Sequence, residues 1–479
     1  MAQTALPAPR TPVRRRALGG LLDADGWTWA GLKALFWFVV IILMLGYIPD
    51  RAYYFTVQRT VDLGLLAWSP VNFCPPENET LPCPAPAGGT LPWHTAPEEV
   101  RLPAARTDGT AAVMGTVYVY AGGSDGSAPT ADVFVTRAVG TGNIDTWSAG
   151  PALPEPRADA ATAVIGSTMY VIGGFGADGQ PTGTVYSLTV ANDGSLPAEW
   201  TVEEAAALPE PRAGAAATPV SDGLVLVGGT NGSAVVNSVW KTRADAAGTL
   251  GAWEPQSSLF EPVMDSVALH VGDVIFVMGG TNADGQVVAT VQQGLVGGEE
   301  APEDDPNAIV ALWRVSEQTN LPGPRTNMAG FTANGALYVQ GGSDGSVPRT
   351  ETLWATPDAD GVIPGWKHMP QTDLGQGLAG SAAVVSGSHA FLIAGTTPDG
   401  ITADLARTNL APQEPFFQAG LLGVVVPALQ LEGEIGQQIG YLNAAGVGTV
   451  NFIILILIGY LYNRPEKARA LWSRIRRRG

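Results

Sequence analysis

Four arginines recur at the end of a Leu-Pro turn, and their type and spacing suit them to bind a ligand. They are Arg106, Arg157, Arg212 and Arg325, which end the segments LPAAR, LPEPR, LPEPR and LPGPR. A guanidinium group binds a carboxylate through two parallel hydrogen bonds. The repeated arginines therefore predict a positive rim that orients a carboxylate-bearing ligand or an acidic peptide.

Two related positions depart from this pattern, Val263 and, in the last repeat, Asp373. Short Asp-Gly loops are expected on the same surface as the arginines. The predicted binding residues are Arg106, Arg157, Arg212, Arg325, Asp373, Asp125 and Asp344. In the structural alternative, each arginine ties neighbouring repeats together by pairing with a loop carboxylate such as Asp159 or Asp265.

Composition excludes several classes of function. The 479 residues carry 44 acidic and 26 basic side chains, a net charge of −18. Binding to nucleic acid needs a basic surface, so this function is excluded. Two cysteines are too few for a cysteine-based zinc site or an iron–sulfur cluster, and four histidines are scattered without ligand spacing. We expect no cofactor and no metal.

An apolar stretch that ends in Gly-Gly recurs through the middle of the chain. It ends at Gly123, Gly174, Gly229, Gly280, Gly342 and, in a weaker form, Gly395. Tryptophan recurs in step at Trp93, Trp147, Trp200, Trp253, Trp313 and Trp366. A regular period of this length, with turn residues between short apolar runs, predicts a repeated unit of four short strands.

The paired Gly-Gly and Trp positions resemble the kelch-repeat family over about residues 93–410. The resemblance implies an all-β, six-bladed propeller with four-stranded blades and a partner-binding face that carries the arginines. The last repeat ends after its third strand near Leu410, whereas an unattached strand beginning at Trp93 precedes the first repeat. We therefore predict that this N-terminal strand completes the sixth blade and removes the free sheet edges.

Two apolar runs flank the repeats. Residues 29–48 contain one charge, Lys33, and residues 442–462 contain none. Each run is long enough to form a transmembrane helix. Basic clusters lie before the first run, at residues 14–16, and after the second, at residues 474–478. By the positive-inside rule, both termini are cytoplasmic and the middle of the chain is extracytoplasmic.

This topology divides the chain into seven segments. They are a basic cytoplasmic tail (1–28), a first transmembrane helix (29–48), an extracytoplasmic linker (49–92), the propeller (93–410), a juxtamembrane segment (411–441), a second transmembrane helix (442–462) and a second basic cytoplasmic tail (463–479). In the linker, Cys74 and Cys83 predict a local disulfide, because the compartment outside the membrane is oxidising. Two free thiols are the alternative.

These observations predict a two-pass protein of a bacterial cell envelope, whose propeller binds a protein or a glycan. The lipid bilayer is one partner, and a membrane subunit of an envelope complex is a further expected one. The propeller contains no cysteine, which excludes a copper-radical oxidase with a Tyr-Cys crosslink. The enzymatic alternative is a carbohydrate-active enzyme resembling the sialic-acid mutarotases, with the arginines binding the sugar carboxylate. No catalytic residues are assigned, because the sequence shows no placed acid and base.

Overall fold

The computed structural model describes residues 89–410 except 140–142, 247, 299–300, 311, 359–360, 369 and 388, together with the single residue Trp37. The predicted spans at 29–48 and 442–462 lie outside the described residues apart from Trp37. The same holds for both tails, the juxtamembrane segment and the linker as far as residue 88, with Cys74 and Cys83. In the described part of the chain, no helix has the length and apolarity needed to cross a membrane.

Six four-stranded antiparallel sheets follow one another along the chain, as the repeats predict. The first blade consists of β2 (Thr110–Met114), β3 (Val117–Ala121), β4 (Val133–Arg137) and β5 (Ser148–Ala149). The second consists of β6 (Ala161–Ile165), β7 (Thr168–Ile172), β8 (Val185–Thr189) and β9 (Thr201–Val202). The third consists of β10 (Ala216–Val220), β11 (Gly223–Val227), β12 (Val239–Arg243) and β13 (Glu254–Pro255).

The fourth blade adds a short two-stranded ladder of β14 (Val263–Met264) and β17 (Thr281–Asn282). Its main sheet consists of β15 (Val267–Val271), β16 (Val274–Met278), β18 (Val291–Leu295) and β19 (Arg314–Val315). The fifth consists of β20 (Ala329–Ala333), β21 (Ala336–Gln340), β22 (Thr352–Ala355) and β23 (Lys367–His368). Together with the sixth blade, these sheets form an all-β, six-bladed propeller.

The sixth blade is completed by the N-terminal strand. It consists of β24 (Ala382–Ser386), β25 (His389–Thr397), β26 (Gly400–Asn409) and, as its fourth strand, β1 (His94–Thr95). His94 pairs with Arg407 and Thr95 with Ala406. The predicted closure is confirmed, and it joins segments more than 300 residues apart in sequence.

The Gly-Gly motif follows from a close approach between blades. Gly122 and Gly123 both have positive φ, 67° and 84°. A Cβ added to Gly122 would lie 2.4 Å from the carbonyl oxygen of Arg157, and the amide of Gly123 donates to that oxygen at 2.7 Å. Glycine is required here because a side chain would push the next blade away.

The recurring tryptophans join neighbouring blades. Trp93, Trp147, Trp200, Trp253 and Trp313 are at most 8% exposed, and Trp366 is half-buried. The indole N–H groups from Trp147 onward donate to backbone carbonyls in the segment that follows the preceding blade, such as that of Trp200 to Pro151 at 2.8 Å. The indole of Trp93 instead donates to the Thr352 hydroxyl at 2.9 Å.

A closed ring of backbone hydrogen bonds lies around the propeller axis. Its members stand just before the first strand of each blade, and they are Asp108, Asp159, Gly214, Asp265, Asn327 and Gly380. Each amide donates to the carbonyl of the equivalent residue in the preceding blade at 2.8–3.0 Å, and Asp108 donates to Gly380 to close the circle. All six residues have positive φ, between 50° and 62°. We call this set the axial ring.

Candidate functional site

The loops that carry the predicted binding residues lie on one face of the propeller. In an antiparallel four-stranded blade, the loop between the second and third strands lies on the same face as the connection to the next blade. We call this the loop face. The described chain begins and ends on the opposite face, where Thr90 pairs with Leu410.

A pocket of about 120 Å³ opens at the centre of the loop face. It is lined by the axial ring and by the residue that follows each ring member. Three of the ring members are the aspartates Asp108, Asp159 and Asp265, and the ring also contains Asn327. The left-handed backbone conformation costs energy for residues with a Cβ, although Asp and Asn tolerate it best.

The aspartates lie over the two glycines of the axial ring. A Cβ added to Gly214 would lie 2.4 Å from Oδ1 of Asp265, and one added to Gly380 would lie 2.3 Å from Oδ1 of Asp108. The glycines therefore leave the space that the carboxyl groups occupy. Oδ1 of Asp265 is buried and has no hydrogen-bond partner.

Burial raises the pKa of all three axial carboxyl groups. For Asp265, burial and the nearby charge of Asp108 raise the pKa to about 7. For Asp159, burial is again the largest cause, followed by repulsion from Asp108 and Asp265, and its pKa lies well above the ordinary value. The pKa of Asp108 is raised by burial against a hydrogen bond with Thr107 that lowers it. The three carboxyl groups are shielded from water and repel one another when ionised. A cation in this pocket would therefore be attracted to them.

The four predicted arginines are buried beneath the loop face rather than exposed on it. Arg106, Arg157, Arg212 and Arg325 are between 1% and 6% exposed. Each pairs with a carboxylate of its own neighbourhood, and the partners in chain order are Asp132, Glu155, Glu210 and Glu351. The partners Asp159 and Asp265, considered in the structural alternative, instead belong to the axial ring.

Three of these guanidinium groups also lie over an aromatic ring of the third strand of their blade. The distances from the guanidinium carbon to the ring centroid are 5.8 Å for Arg106 over Phe134, 5.1 Å for Arg157 over Tyr186 and 4.2 Å for Arg212 over Trp240. Such stacking stabilises a cation away from water. In these contacts the arginines join the blade connection to the third strand.

The assignment of Asp373 to the arginine position of the last repeat is wrong. The backbone carbonyl of each residue at this position accepts a hydrogen bond from the second glycine of the preceding Gly-Gly motif, and for Gly342 the acceptor is Leu378. Asp373 accepts from the His368 ring at 3.0 Å and from the Thr352 amide at 3.1 Å. The sequence misled because the last repeat has no Leu-Pro-x-x-Arg segment. A count of 12 residues from the Trp, as from Trp200 to Arg212 and from Trp313 to Arg325, leads from Trp366 to Leu378.

Asp125 and Asp344 lie on loops of the loop face, as predicted, and their carboxylates hold those loops in shape. Oδ1 of Asp125 accepts from the amides of Ser127 and Ala128 at 2.8 and 2.9 Å. A hydrogen bond from the Ser127 hydroxyl is the largest cause that lowers the pKa of Asp125, to about 2. Asp344 makes the same turn and pairs with Arg349 at 3.2 Å.

The segment 297–307 (GGEEAPEDDPN) is an acidic insertion in the fourth blade, and part of what the structure describes of it is buried. Asp305 is 5% exposed and accepts a hydrogen bond from Nζ of Lys241, which is 2% exposed. Lys241 also pairs with Asp222 at 2.8 Å. The insertion is thereby fastened to the third blade. Within the described residues, no group of three or more His, Cys, Asp or Glu side chains is arranged to hold a metal ion.

Sequence reasoning missed the axial pocket. Asp108, Asp159 and Asp265 stand two residues after an arginine position, and this spacing was the available signal. We interpreted the last two as partners of the arginines, because the sequence does not show that this position turns toward the axis. The positive φ at each position decides that direction.

Comparisons with known proteins agree with this geometry. Residues 109–292 match the family model described as the KLHDC2/KLHL20/DRC7 Kelch-repeats domain. Over these residues the propeller carries kelch repeats. Kelch repeat protein M-T8 of Myxoma virus (strain Lausanne) is 40% identical over 75 residues, which are 16% of this chain and 14% of that protein. The match therefore spans about a seventh of the curated relative.

The solved structure of YjhT is similar at 15% identity and a TM-score of 0.49, covering 65% of this chain and 95% of that one. The residues that the family model matches, 109–292, span the first three blades and most of the fourth.

Proposed function

We propose that this protein is a membrane-anchored, extracytoplasmic kelch-type propeller that binds a protein partner on its loop face. The observation that carries the proposal is the axial pocket, where Asp108, Asp159 and Asp265 converge and one carboxylate oxygen of Asp265 has no partner. The partner presents a basic side chain to this pocket. A positive charge in the pocket favours the ionised form of these carboxyl groups, because it offsets both their mutual repulsion and the cost of burying their charge.

Membrane anchoring is the second part of the proposal. It rests on the apolar runs at 29–48 and 442–462 and on the basic clusters beside them. The described chain begins and ends on the face opposite the loop face. Anchors attached there would leave the loop face free for a partner, whether a soluble protein or a subunit of an envelope complex.

The test begins with the full chain extracted from its native membrane in mild detergent. Native electrophoresis and mass spectrometry identify stoichiometric partners of the wild type and of the triple variant Asp108→Asn, Asp159→Asn, Asp265→Asn. We expect a partner that is lost from the triple variant and retained by the control Asp178→Asn, which changes an exposed loop carboxylate.

Four outcomes would contradict the proposal. A partner retained by the triple variant would show that the axial pocket does not bind it. A chain that migrates alone and binds a glycan would replace the protein partner with a carbohydrate, and turnover of a sialic acid would support the mutarotase alternative. Release of the wild type from membranes by carbonate washing would contradict the two anchors.

A further inference from the structure

A recurrent space in the blades holds one arginine side chain of the chain itself. In the first blade this space contains the guanidinium group of Arg106, the carboxylate of Asp132 and the ring of Phe134. We call it the arginine niche. The niche lies between the connection from the preceding blade and the third strand.

The sixth blade lacks two of the three side chains that fill this niche. Leu378 stands at the arginine position, as the hydrogen bond to its carbonyl establishes. Phe134 pairs with Tyr120 in the first blade, and the equivalent pair in the sixth is Ala406 with Leu392. The carboxylate is kept, because Asp404 stands two residues before Ala406 as Asp132 stands before Phe134.

A pocket of about 360 Å³ occupies the place of the missing side chains. It is lined by Trp93, Leu374, Gln376, Leu378, Asp404 and Ala406 among others. The fourth blade shows the contrasting case. It has Val263 at the arginine position, and there the buried Gln292 fills the niche and exchanges hydrogen bonds of 2.9 Å with the backbone of Glu261.

The fifth blade shows that a carboxylate at this position holds two guanidinium groups at once. Glu351 pairs with Arg325 at 3.2 Å and with Arg349 at 2.5 Å. Asp404, its equivalent in the sixth blade, pairs with Arg101 at 3.0 Å. Asp404 therefore lacks the second partner, an arginine in the niche, that Glu351 has in Arg325.

We propose that the sixth-blade niche binds an arginine side chain presented by a partner polypeptide. The guanidinium group donates hydrogen bonds to Asp404, and the aliphatic part of the side chain packs against Leu374, Leu378 and Ala406. The incoming residue completes the arrangement that the chain makes for itself in four other blades. This inference concerns a pocket distinct from the axial one and does not depend on the function proposed above.

The test uses isothermal titration calorimetry of the full chain in detergent micelles. The probes are N-acetyl-arginine N-methylamide, the matched lysine compound and the neutral citrulline compound, which keeps the shape of arginine without its charge. We expect the arginine probe to bind in 1:1 stoichiometry and more tightly than both others. Asp404→Asn should weaken it by about tenfold or more, because a hydrogen bond to a charged group is lost, whereas Asp178→Asn should not.

A filling variant gives a second and independent readout. Leu378→Arg should occupy the niche from within, abolish binding of the arginine probe and raise the melting temperature. Leu378→Met, which cannot pair with Asp404, should bind the probe as the wild type does. Val263→Arg should lower the melting temperature, because Gln292 already fills that niche.

Several results would overturn the inference. Equal binding of arginine and citrulline would exclude an ionic role for Asp404, and equal binding of lysine would exclude a guanidinium site. Unchanged binding by Leu378→Arg would exclude the niche. Binding kept by Asp404→Asn but lost with Asp265→Asn would place the arginine at the axis, which overturns this inference and leaves the proposed function standing.

Discussion

The three axial aspartates combine an uncommon backbone conformation with an unfavourable electrostatic environment. Their φ values lie between 50° and 55°, and their carboxyl groups are close enough to raise one another's pKa. Non-glycine residues in the left-handed backbone region concentrate at functional sites. A purely structural ring would be satisfied by glycine, as at Gly214 and Gly380.

The axial carboxyl groups predict that stability falls as pH rises. Asp265 binds a proton more tightly when folded, with a pKa of about 7, than when unfolded, where its ordinary value is 3.8. The stabilisation that the protonated Asp265 gives to the folded state is therefore complete below pH 3.8 and is lost as pH rises through 7. We expect Asp265→Asn to raise the melting temperature at pH 8 by at least about 2 °C and at pH 4 by less.

Thermal denaturation of the wild type and Asp265→Asn from pH 4 to 8 checks this prediction. The control is again Asp178→Asn, which removes an exposed carboxylate of the same face. If the melting temperatures of the wild type and Asp265→Asn changed with pH in parallel, the carboxyl group of Asp265 would have the same pKa in the folded and the unfolded state, which would contradict the prediction.

A second prediction at the residue scale separates the structural role of the arginines from ligand binding. Arg212 is 1% exposed, pairs with Glu210 at 2.8 Å and donates to the Ser238 hydroxyl at 2.6 Å. Arg212→Ala should lower the free energy of unfolding by about 2–3 kcal/mol, because these contacts and the stacking on Trp240 are lost together. Urea denaturation measures the change, and Arg137→Ala, at an exposed position, is the control.

If Arg212→Ala instead weakened partner binding and left stability unchanged, ligand contact would be the better interpretation of the arginines. The sequence supports both interpretations, because Leu-Pro-x-x-Arg fixes the position of the backbone but not the direction of the side chain. The fold is needed to choose between them, because it shows that the arginine side chains are buried against the third strand.

At the scale of the element, the short strand β1 closes the propeller with few residues. It has two paired residues, and the adjacent contacts come from Leu91, whose amide donates to Asn409 at 2.8 Å, and from the indole of Trp93. Trp93→Ala should cost about 3–5 kcal/mol, since a buried tryptophan is removed where the ring is sealed. Trp366→Ala, at a half-buried equivalent position, should cost less. Urea denaturation compares the two, and equal losses would contradict a special role for the closing strand.

The Lys241 contacts give a prediction for the acidic insertion. Lys241→Met removes the buried positive charge and leaves Asp305 with only the longer contact to Arg243 at 3.4 Å, so the insertion should be held less firmly to the third blade. Limited proteolysis should then cleave within 297–307 faster than in the wild type. Arg314→Met, which changes an exposed cation of the fourth blade, is the control, and equal cleavage of both variants would contradict the role of Lys241.

The elements were more predictable than the site. Gly-Gly and Trp recur in step because every blade meets its neighbour through the same close approach and the same indole hydrogen bond, so six blades and their closure follow from the sequence. Asp373 was misplaced and the axial pocket was missed. The direction in which the axial residues turn depends on contacts with another blade, which local spacing does not reveal. The Asp373 error was avoidable, because the 12-residue spacing from Trp313 to Arg325 leads from Trp366 to Leu378.

At the scale of the whole molecule, the propeller is strongly acidic. Residues 92–411 contain 12 basic and 34 acidic side chains, a difference of −22. A basic partner should therefore associate with the full chain faster at low ionic strength, and the rate should fall steeply between about 0.05 and 0.5 M salt. Stopped-flow or surface binding with the identified partner measures this, and a rate independent of salt would exclude electrostatic steering.

The axial ring also makes each junction between blades individually observable. Its six amides are chemically alike and lie in one circle, yet each leaves its hydrogen bond only when one particular pair of blades separates. Native-state hydrogen exchange at these six positions would therefore map where the circle opens. The amides of Asp108 and Gly380 bound the sixth blade, and their exchange relative to that of Asp159 or Gly214 would time the detachment of the chain's own N-terminal strand. The six amides thus serve as hydrogen-exchange probes, one for each junction between blades.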